Sequence, residues 1–277
     1  MKSLIAFIKK HPTLLRGVRF FFHWALGFGF NPLQFIAAVR GVPLVMQDYG
    51  ALKKQNEKDG SKWELQFTYP CLTQKFDSSG EASGHYFHQD FLVARRIFAR
   101  QPVKHVDIGS RIDGFVAHVA VFRPIETFDI RPQTATIPNI IFKQGNLMNL
   151  PLDLVGYCDS LSCLHALEHF GLGRYGDPVD LNGHLRGFDS LYRMLQPNGI
   201  LYLGFPIGRE RIEFNAHRVF AIKTVIGWAK ERFDLIGFSY VDDQGALHEN
   251  VTLDDDALSN NLGLHYGCGI FEFRKVC

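Results

Sequence analysis

The sequence has no acidic residue before Asp48, although Lys2, Lys9, Lys10, Arg16, Arg19 and Arg40 precede it. It also has no CxxC pair. Its five cysteines, Cys71, Cys158, Cys163, Cys268 and Cys277, are scattered and odd in number. That pattern speaks against a zinc ribbon or a disulfide scaffold, so a reducing, cytoplasmic setting is expected. Strong charge of one sign is missing as well: 30 basic against 28 acidic residues give a net +2. The whole chain therefore makes no electrostatic case for a nucleic-acid partner. The apolar run FFFHWALGFGF, residues 20–30, contains His23 and is soon followed by Pro32. It is too short to span a bilayer. No small-residue cleavage site follows it, so a signal peptide is not expected. No internal repeat or low-complexity tract occurs.

What is present suits a globular protein. The chain has 277 residues, 46% hydrophobic and 21% charged, with 25 phenylalanines. That is enough for one large domain or a domain with an extension. We divide it into an extension, residues 1–84, and an α/β domain, residues 85–277. The basic, aromatic start suits peripheral contact with an anionic membrane at its inner face, through residues 1–40. It also suits a helical extension that packs its phenylalanines on the main domain.

Residues 1–60 read as short helices broken at Pro12, Pro32 and Pro43. Residues 63–84 read as irregular. Residues 85–100 carry apolar side chains at mixed three- and four-residue spacing, an amphipathic helix ended by Pro102. Strands are then expected at 103–109, 125–130, 139–147, 158–164, 200–207, 233–241 and 267–276. Helices are expected at 114–122, 185–195 and about 220–232. Alternating strands and helices imply a parallel sheet covered on both faces. The last two strands, joined by a long loop, suggest an antiparallel hairpin on that sheet.

Ligands of such sheets bind beyond the carboxyl ends of the strands. In HVDIGSRIDGF, residues 105–115, Gly109 permits a tight turn after the first strand. The following helix would offer unpaired N–H groups. Asp129 ends the second strand and could accept both hydroxyls of a ribose. Asn146, in GNL after the third strand, could hold an adenine edge. Arg111 stands where a dinucleotide loop has its second glycine, which weakens the case for a pyrophosphate and for a nicotinamide cofactor. An arginine there can instead grip a carboxylate in a bidentate pair.

These segments resemble a class I S-adenosylmethionine-dependent methyltransferase. The residues carrying the resemblance are VDIGSRIDG, ETFDI, FKQGNLMNLPL, CDSLSCLHALEHF, MLQPNGILYLGFP and the closing GCGIFEFRKV. More closely, HYFHQD, HVDIGSRIDGF, LEHFGLGRYGD and YGCGIF resemble the DUF268 family. The resemblance implies a Rossmann-like sheet, mostly parallel with its last strand antiparallel, behind an N-terminal helical extension. It implies S-adenosyl-L-methionine held along Asp107, Gly109, Ser110, Arg111, Asp129, Ile130, Asn146, Leu147 and Ser162. The sequence departs from the usual pattern at Arg111 and Asp113, where glycines are common, and at Asn146, where an acid is.

Methyl transfer to a hydroxyl needs alignment and a base. His165, Glu168 and His169 follow the fourth strand and are the catalytic candidates, with His169 as the base. Some sequences of this kind sit among polysaccharide-biosynthesis proteins. The resemblance thus implies O-methylation of a sugar hydroxyl, on a glycan or a nucleotide- or lipid-linked sugar. The rival is a non-catalytic methyltransferase-like module in a glycan-assembly complex. The stretch 165–169 also matches H-x-x-E-H, but a strand runs into it and no third ligand is apparent, so zinc hydrolysis is not expected. Magnesium at Glu168, Asp177 or Asp180 is a further alternative; no metal site is assigned. The HYFHQD cluster (His85, His88, Gln89, Asp90) would either lid the cofactor or cap its helix. Arg174, Tyr175 and Arg209 are candidate carbohydrate contacts.

Overall fold

The computed structural model describes residues 12–60 and 63–276. Contacts divide the chain between Glu81 and Ala82 into two compact units.

In the first unit, helix α1 (Pro12–Gly27) is followed by α2 (Pro32–Lys58), and a 3₁₀ turn covers Gln74–Phe76. Asn31 caps α2 by accepting from the N–H groups of Leu33 and Gln34. The break expected at Pro43 is absent, because α2 runs through it. A proline removes one helical hydrogen bond, and the good helix formers on its C-terminal side carry the helix onward. Gly41 is the buried residue of α2. Phe20, Phe21 and Trp24 of α1, with Phe28, Phe30, Leu33, Phe35 and Ile36, are exposed. No helix among the described residues is long and apolar enough to cross a membrane. The part of the membrane-contact expectation that falls on residues 1–11 lies outside the described residues.

The second unit opens with α3 (Gly84–Arg100) and is built on an eight-stranded sheet. Its strands are β1 (His105–Ile108), β2 (Ile125–Asp129), β3 (Ile140–Gln144), β4 (Cys158–Leu164), β5 (Leu195–Ile207), β8 (Phe233–Val241), β9 (Leu247–His248) and β10 (Gly267–Lys275). The order is β3-β2-β1-β4-β5-β10-β8-β9. β1 to β5 pair in parallel, and β10 runs antiparallel between β5 and β8. This is the expected Rossmann-like arrangement, with its switch point between β1 and β4.

Helices α4 (Ala117–Ala120), α5 (Gly183–Met194), α6 (Ile222–Ala229) and α7 (Asp255–Asn260) complete the unit, with a small hairpin of β6 (Arg211–Glu213) and β7 (His217–Val219). Two apolar layers flank the sheet. One joins Phe188, Leu191 and Met194 of α5 to Leu203 and Phe205 of β5. The other joins Leu92, Val93 and Ile97 of α3 to Val119, Tyr202 and Ile270. Burying such side chains is worth roughly 1.5–3 kcal/mol each, and this pins the strand ends that form the site.

The short helix expected after β1 is present but irregular: Ile112–Val116 form a π turn in which Gly114 is non-helical, and it runs directly into α4, which has four residues. The loop therefore has no substantial helix N-terminus to hold an anion. β6, β7 and β9 were not foreseen.

Candidate functional site

The carboxyl ends of β1, β2, β3 and β4 open onto one cleft of about 290 Å³. That lies near the lower end of ordinary ligand cavities, about 300–1,000 Å³. Of the sequence candidates, Gly109, Arg111, Asp129, Ile130, Asn146, Leu147, His165 and His169 line it. Gly109 has φ +75°, and a Cβ there would meet Ala166. A side chain at this position would be strained and would press on the cleft wall.

Asp107, Ser110, Ser162 and Glu168 are buried and are not among the lining residues. The first three brace the loop from behind. The Ser110 N–H donates to Asp107 Oδ2 at 3.0 Å, while the Ser110 and Ser162 hydroxyls donate to Oδ1 at 2.7 and 2.6 Å. Burial pushes the Asp107 carboxyl up to about 6, against the pull of these donors. Beside it His105 Nδ1 meets the Ser160 hydroxyl at 2.8 Å, and burial holds His105 down to about 3.

Asp129 ends β2 as expected, but Arg131 already holds it. The backbone N–H and Nε of Arg131 donate to Oδ1 at 2.8 and 3.0 Å, and Nη2 donates to Oδ2 at 2.6 Å. A carboxylate offers about four acceptor positions. Three are taken, so one ribose hydroxyl can be accepted rather than both unless Arg131 swings aside. The Arg131 guanidinium lies 4.4 Å from the centre of the Tyr175 ring. Arg111 is likewise engaged: its Nε and Nη2 donate to Asp113 at 3.0 and 2.6 Å. This pair is exposed, so exchanging Asp113 for a ligand carboxylate costs little. Asn146 Oδ1 accepts from the Met148 N–H at 3.0 Å, which leaves its NH₂ group as the donor for a ligand.

After β4, residues Leu167–His169 form a 3₁₀ turn. Buried Arg218 of β7 holds this loop by donating to the carbonyls of Phe170 and Leu181 at 2.7 and 3.1 Å. His169 Nδ1 donates to the Ala216 carbonyl at 2.7 Å, which makes Nε2 the basic nitrogen of the neutral ring. Burial lowers the His169 pKa and favours that neutral form. His165 Nδ1 meets Glu168 Oε1 at 3.0 Å. Burial disfavours a proton on His165, but Cys268 and Glu168 override it, and the net shift is well upward.

Because His169 Nδ1 is spent on a carbonyl and the turn is 3₁₀, the H-x-x-E-H pair of an α-helix is not formed. Asp177 does line the cleft, yet it clasps the N–H groups of Gly171, Gly173 and Tyr175. Asp180 pairs with Arg186 at 3.0 Å. A magnesium set of Glu168, Asp177 and Asp180 is not assembled. Arg174 and Tyr175 line the cleft, whereas Arg209 does not. In HYFHQD, Gln89 and Asp90 are buried against each other, and Ser83 makes no side-chain cap to α3. The cleft contact from this segment is Tyr86, which the sequence reading passed over, as it did Arg131. The signal for Arg131 was its place two residues after a strand-end acid.

Residues 141–260 match a family model described as "Caenorhabditis protein of unknown function, DUF268", which bears out that resemblance. None of the curated proteins matches the sequence. Among solved structures, the chain is similar to the N-methyltransferase NodS from Bradyrhizobium japonicum WM9, solved with S-adenosyl-L-homocysteine. The identity is 13%, over 74% of this chain and 93% of that one, with a TM-score of 0.46. It is also similar to 1,6-didemethyltoxoflavin-N1-methyltransferase from Burkholderia thailandensis, solved with 1,6-didemethyltoxoflavin and S-adenosylhomocysteine. There the identity is 13%, over 68% and 79%, with a TM-score of 0.47. The [4+2]-cyclase SpnF is similar at 14% identity, over 84% and 95%, with a TM-score of 0.47. At these values the likeness carries nothing about reaction or substrate.

Proposed function

We propose that the protein is an S-adenosylmethionine-dependent methyltransferase acting on a sugar hydroxyl. One observation carries this reading: the turn at Gly109, the acid Asp129, the amide Asn146 and the imidazole of His169 all face a single cleft. The donor set fits an adenosine with an amino-acid tail. Asp129 keeps one acceptor position for a ribose hydroxyl, Asn146 offers a donor, and Arg111 can trade Asp113 for a carboxylate. When bound, S-adenosylmethionine supplies an electrophilic methyl group. The chain's own work is to align the acceptor and to take its proton at His169 Nε2, while the Ala216 carbonyl fixes the tautomer. Tyr86 and Tyr175 give flat apolar surface of the kind that sugar rings stack on.

The acceptor class rests on the resemblance, which points to glycans or nucleotide- or lipid-linked sugars of surface polysaccharides. The rival, a non-catalytic module, draws support from Arg131, which occupies most of Asp129. Equilibrium dialysis with labelled S-adenosylmethionine, followed by a turnover assay on glycan acceptors, separates the two. The proposal expects saturable binding, weakened about tenfold or more in Asp129→Ala and kept within a few-fold in His169→Ala. No binding by the intact chain overturns it, and binding without turnover on any glycan favours the module.

The exposed aromatics of α1 and the start of α2, near Arg19 and Arg40, support the further proposal that this unit lies on an anionic bilayer. Flotation with phosphatidylglycerol vesicles should carry the protein upward, and Trp24→Ser with Phe28→Ser should release it. Equal flotation of that variant would reject the assignment.

A further inference from the structure

Three residues from distant parts of the second unit meet beside the cleft. His85 stands in the first turn of α3, His165 follows the end of β4, and Cys268 lies near the start of β10. One donor atom from each lies within 4.8 Å of the others. The rings of His85 and His165 stack with centres 5.3 Å apart, inclined by 3°. His165 and Cys268 are buried, at 8% and 0% exposure.

The decisive feature is on His165. Its Nδ1 is committed to Glu168 Oε1 at 3.0 Å. Its Nε2 is buried and has no hydrogen-bond partner. An orphaned buried nitrogen is costly and calls for an occupant. A buried carboxylate behind the far nitrogen is the arrangement that fixes the tautomer of metal-bound histidines and raises their basicity. Glu168 is 1% exposed, and its second oxygen also lacks a partner. It therefore places negative charge next to the cluster.

We propose that His85, His165 and Cys268 bind a divalent metal ion of the zinc class, with Glu168 as the carboxylate that orients His165. Two imidazoles and a thiol form a borderline-soft set that suits zinc over magnesium or calcium. With metal–nitrogen bonds of about 2.0–2.1 Å and a metal–sulfur bond of about 2.3 Å, tetrahedral donors lie roughly 3.5 Å apart. Loading thus draws the cluster in by about 1 Å at most, which falls most easily on His85, the least buried of the three. Binding displaces the thiol proton of Cys268 to solvent. Three protein ligands leave one position for a water or a ligand oxygen. His165 also lines the cleft, so the ion stands at its wall. This inference holds or fails independently of methyl transfer.

Cobalt(II) is the probe. The full chain, freed of metal with a chelator, is titrated with Co²⁺ and followed by the thiolate-to-cobalt charge-transfer band. One ion per chain is expected to bind. Cys268→Ser should abolish the band, and His85→Ala should weaken binding roughly hundredfold or more while keeping the native circular dichroism spectrum. Glu168→Gln should weaken it about 10–100-fold. Cys71→Ser, in the other unit, should change nothing. The proposal is overturned if the wild-type chain gives no thiolate band. It is equally overturned if His85→Ala binds cobalt as wild type does, or if a folded Cys268→Ser chain keeps the band.

Discussion

Two buried polar groupings sit on either side of β4, and they differ in one respect. Behind the β1 loop, Asp107 receives three hydrogen bonds of 2.6–3.0 Å and His105 rests between two serines. None of these atoms is left without a partner. Toward β10, Nε2 of His165 and Oε2 of Glu168 are both left without one. Buried networks that are fully satisfied rigidify a fold, and networks left incomplete mark places where the sequence gives up stability for another purpose. Satisfaction, rather than burial or charge, separates the brace from the site.

The sharpest break of this comparison is Asp107→Ala. It takes the acceptor from the Ser110 N–H and hydroxyl and from the Thr127 hydroxyl, and leaves Ser162 only its contact with His105, so a loss of about 3 kcal/mol in urea unfolding is expected. A loss under about 1 kcal/mol would mean that the brace is not a brace. A second effect comes from pH. His105 is held to about 3 by burial, while its unfolded value is near 6.5. The unfolded chain therefore binds the proton first, and this contribution is complete above 6.5 and is lost as pH falls. Asp107, raised to about 6, and His165, raised well above its usual value, act in the opposite sense and offset part of it. His85 and His184, both lowered to about 4, act with His105. Stability should fall by on the order of 1–2 kcal/mol from pH 7 to pH 5, and His105→Asn should flatten the slope. An unchanged slope would contradict it. The smallest effect belongs to the other grouping. Replacing His165 and Glu168 together by leucine removes the orphaned atoms as well as the pair. The metal-free double variant should stay within about 1 kcal/mol of wild type, or exceed it. A loss as large as that of Asp107→Ala would erase the distinction.

The sheet was legible because its strands are short apolar runs separated by turns, and each strand end carried a residue with a reason to be there. Gly109, Asp129 and Asn146 reach the cleft because side chains beyond parallel strands converge at the switch point. What escaped was pairing between side chains. Arg131 is two residues from Asp129, yet only the turn after β2 brings its fork onto both oxygens. Asp107 and Ser162 looked like ligand contacts and instead serve each other across β1 and β4. Pro43 read as a break because the proline was weighed without the helix formers that follow it. The cluster of His85, His165 and Cys268 draws on stretches some eighty to a hundred residues apart, and only the antiparallel entry of β10 beside β5 brings the cysteine to the histidines.

The measurement that bears most directly on the account is a crystal structure of the full chain soaked with S-adenosylhomocysteine. The account predicts the ribose on Asp129, the adenine beside Asn146 and Leu147, the amino-acid tail over Gly109, and the sulfur facing His169. A cleft that stays empty at saturating ligand, or a ligand bound elsewhere with Asp129 still closed by Arg131, would contradict it.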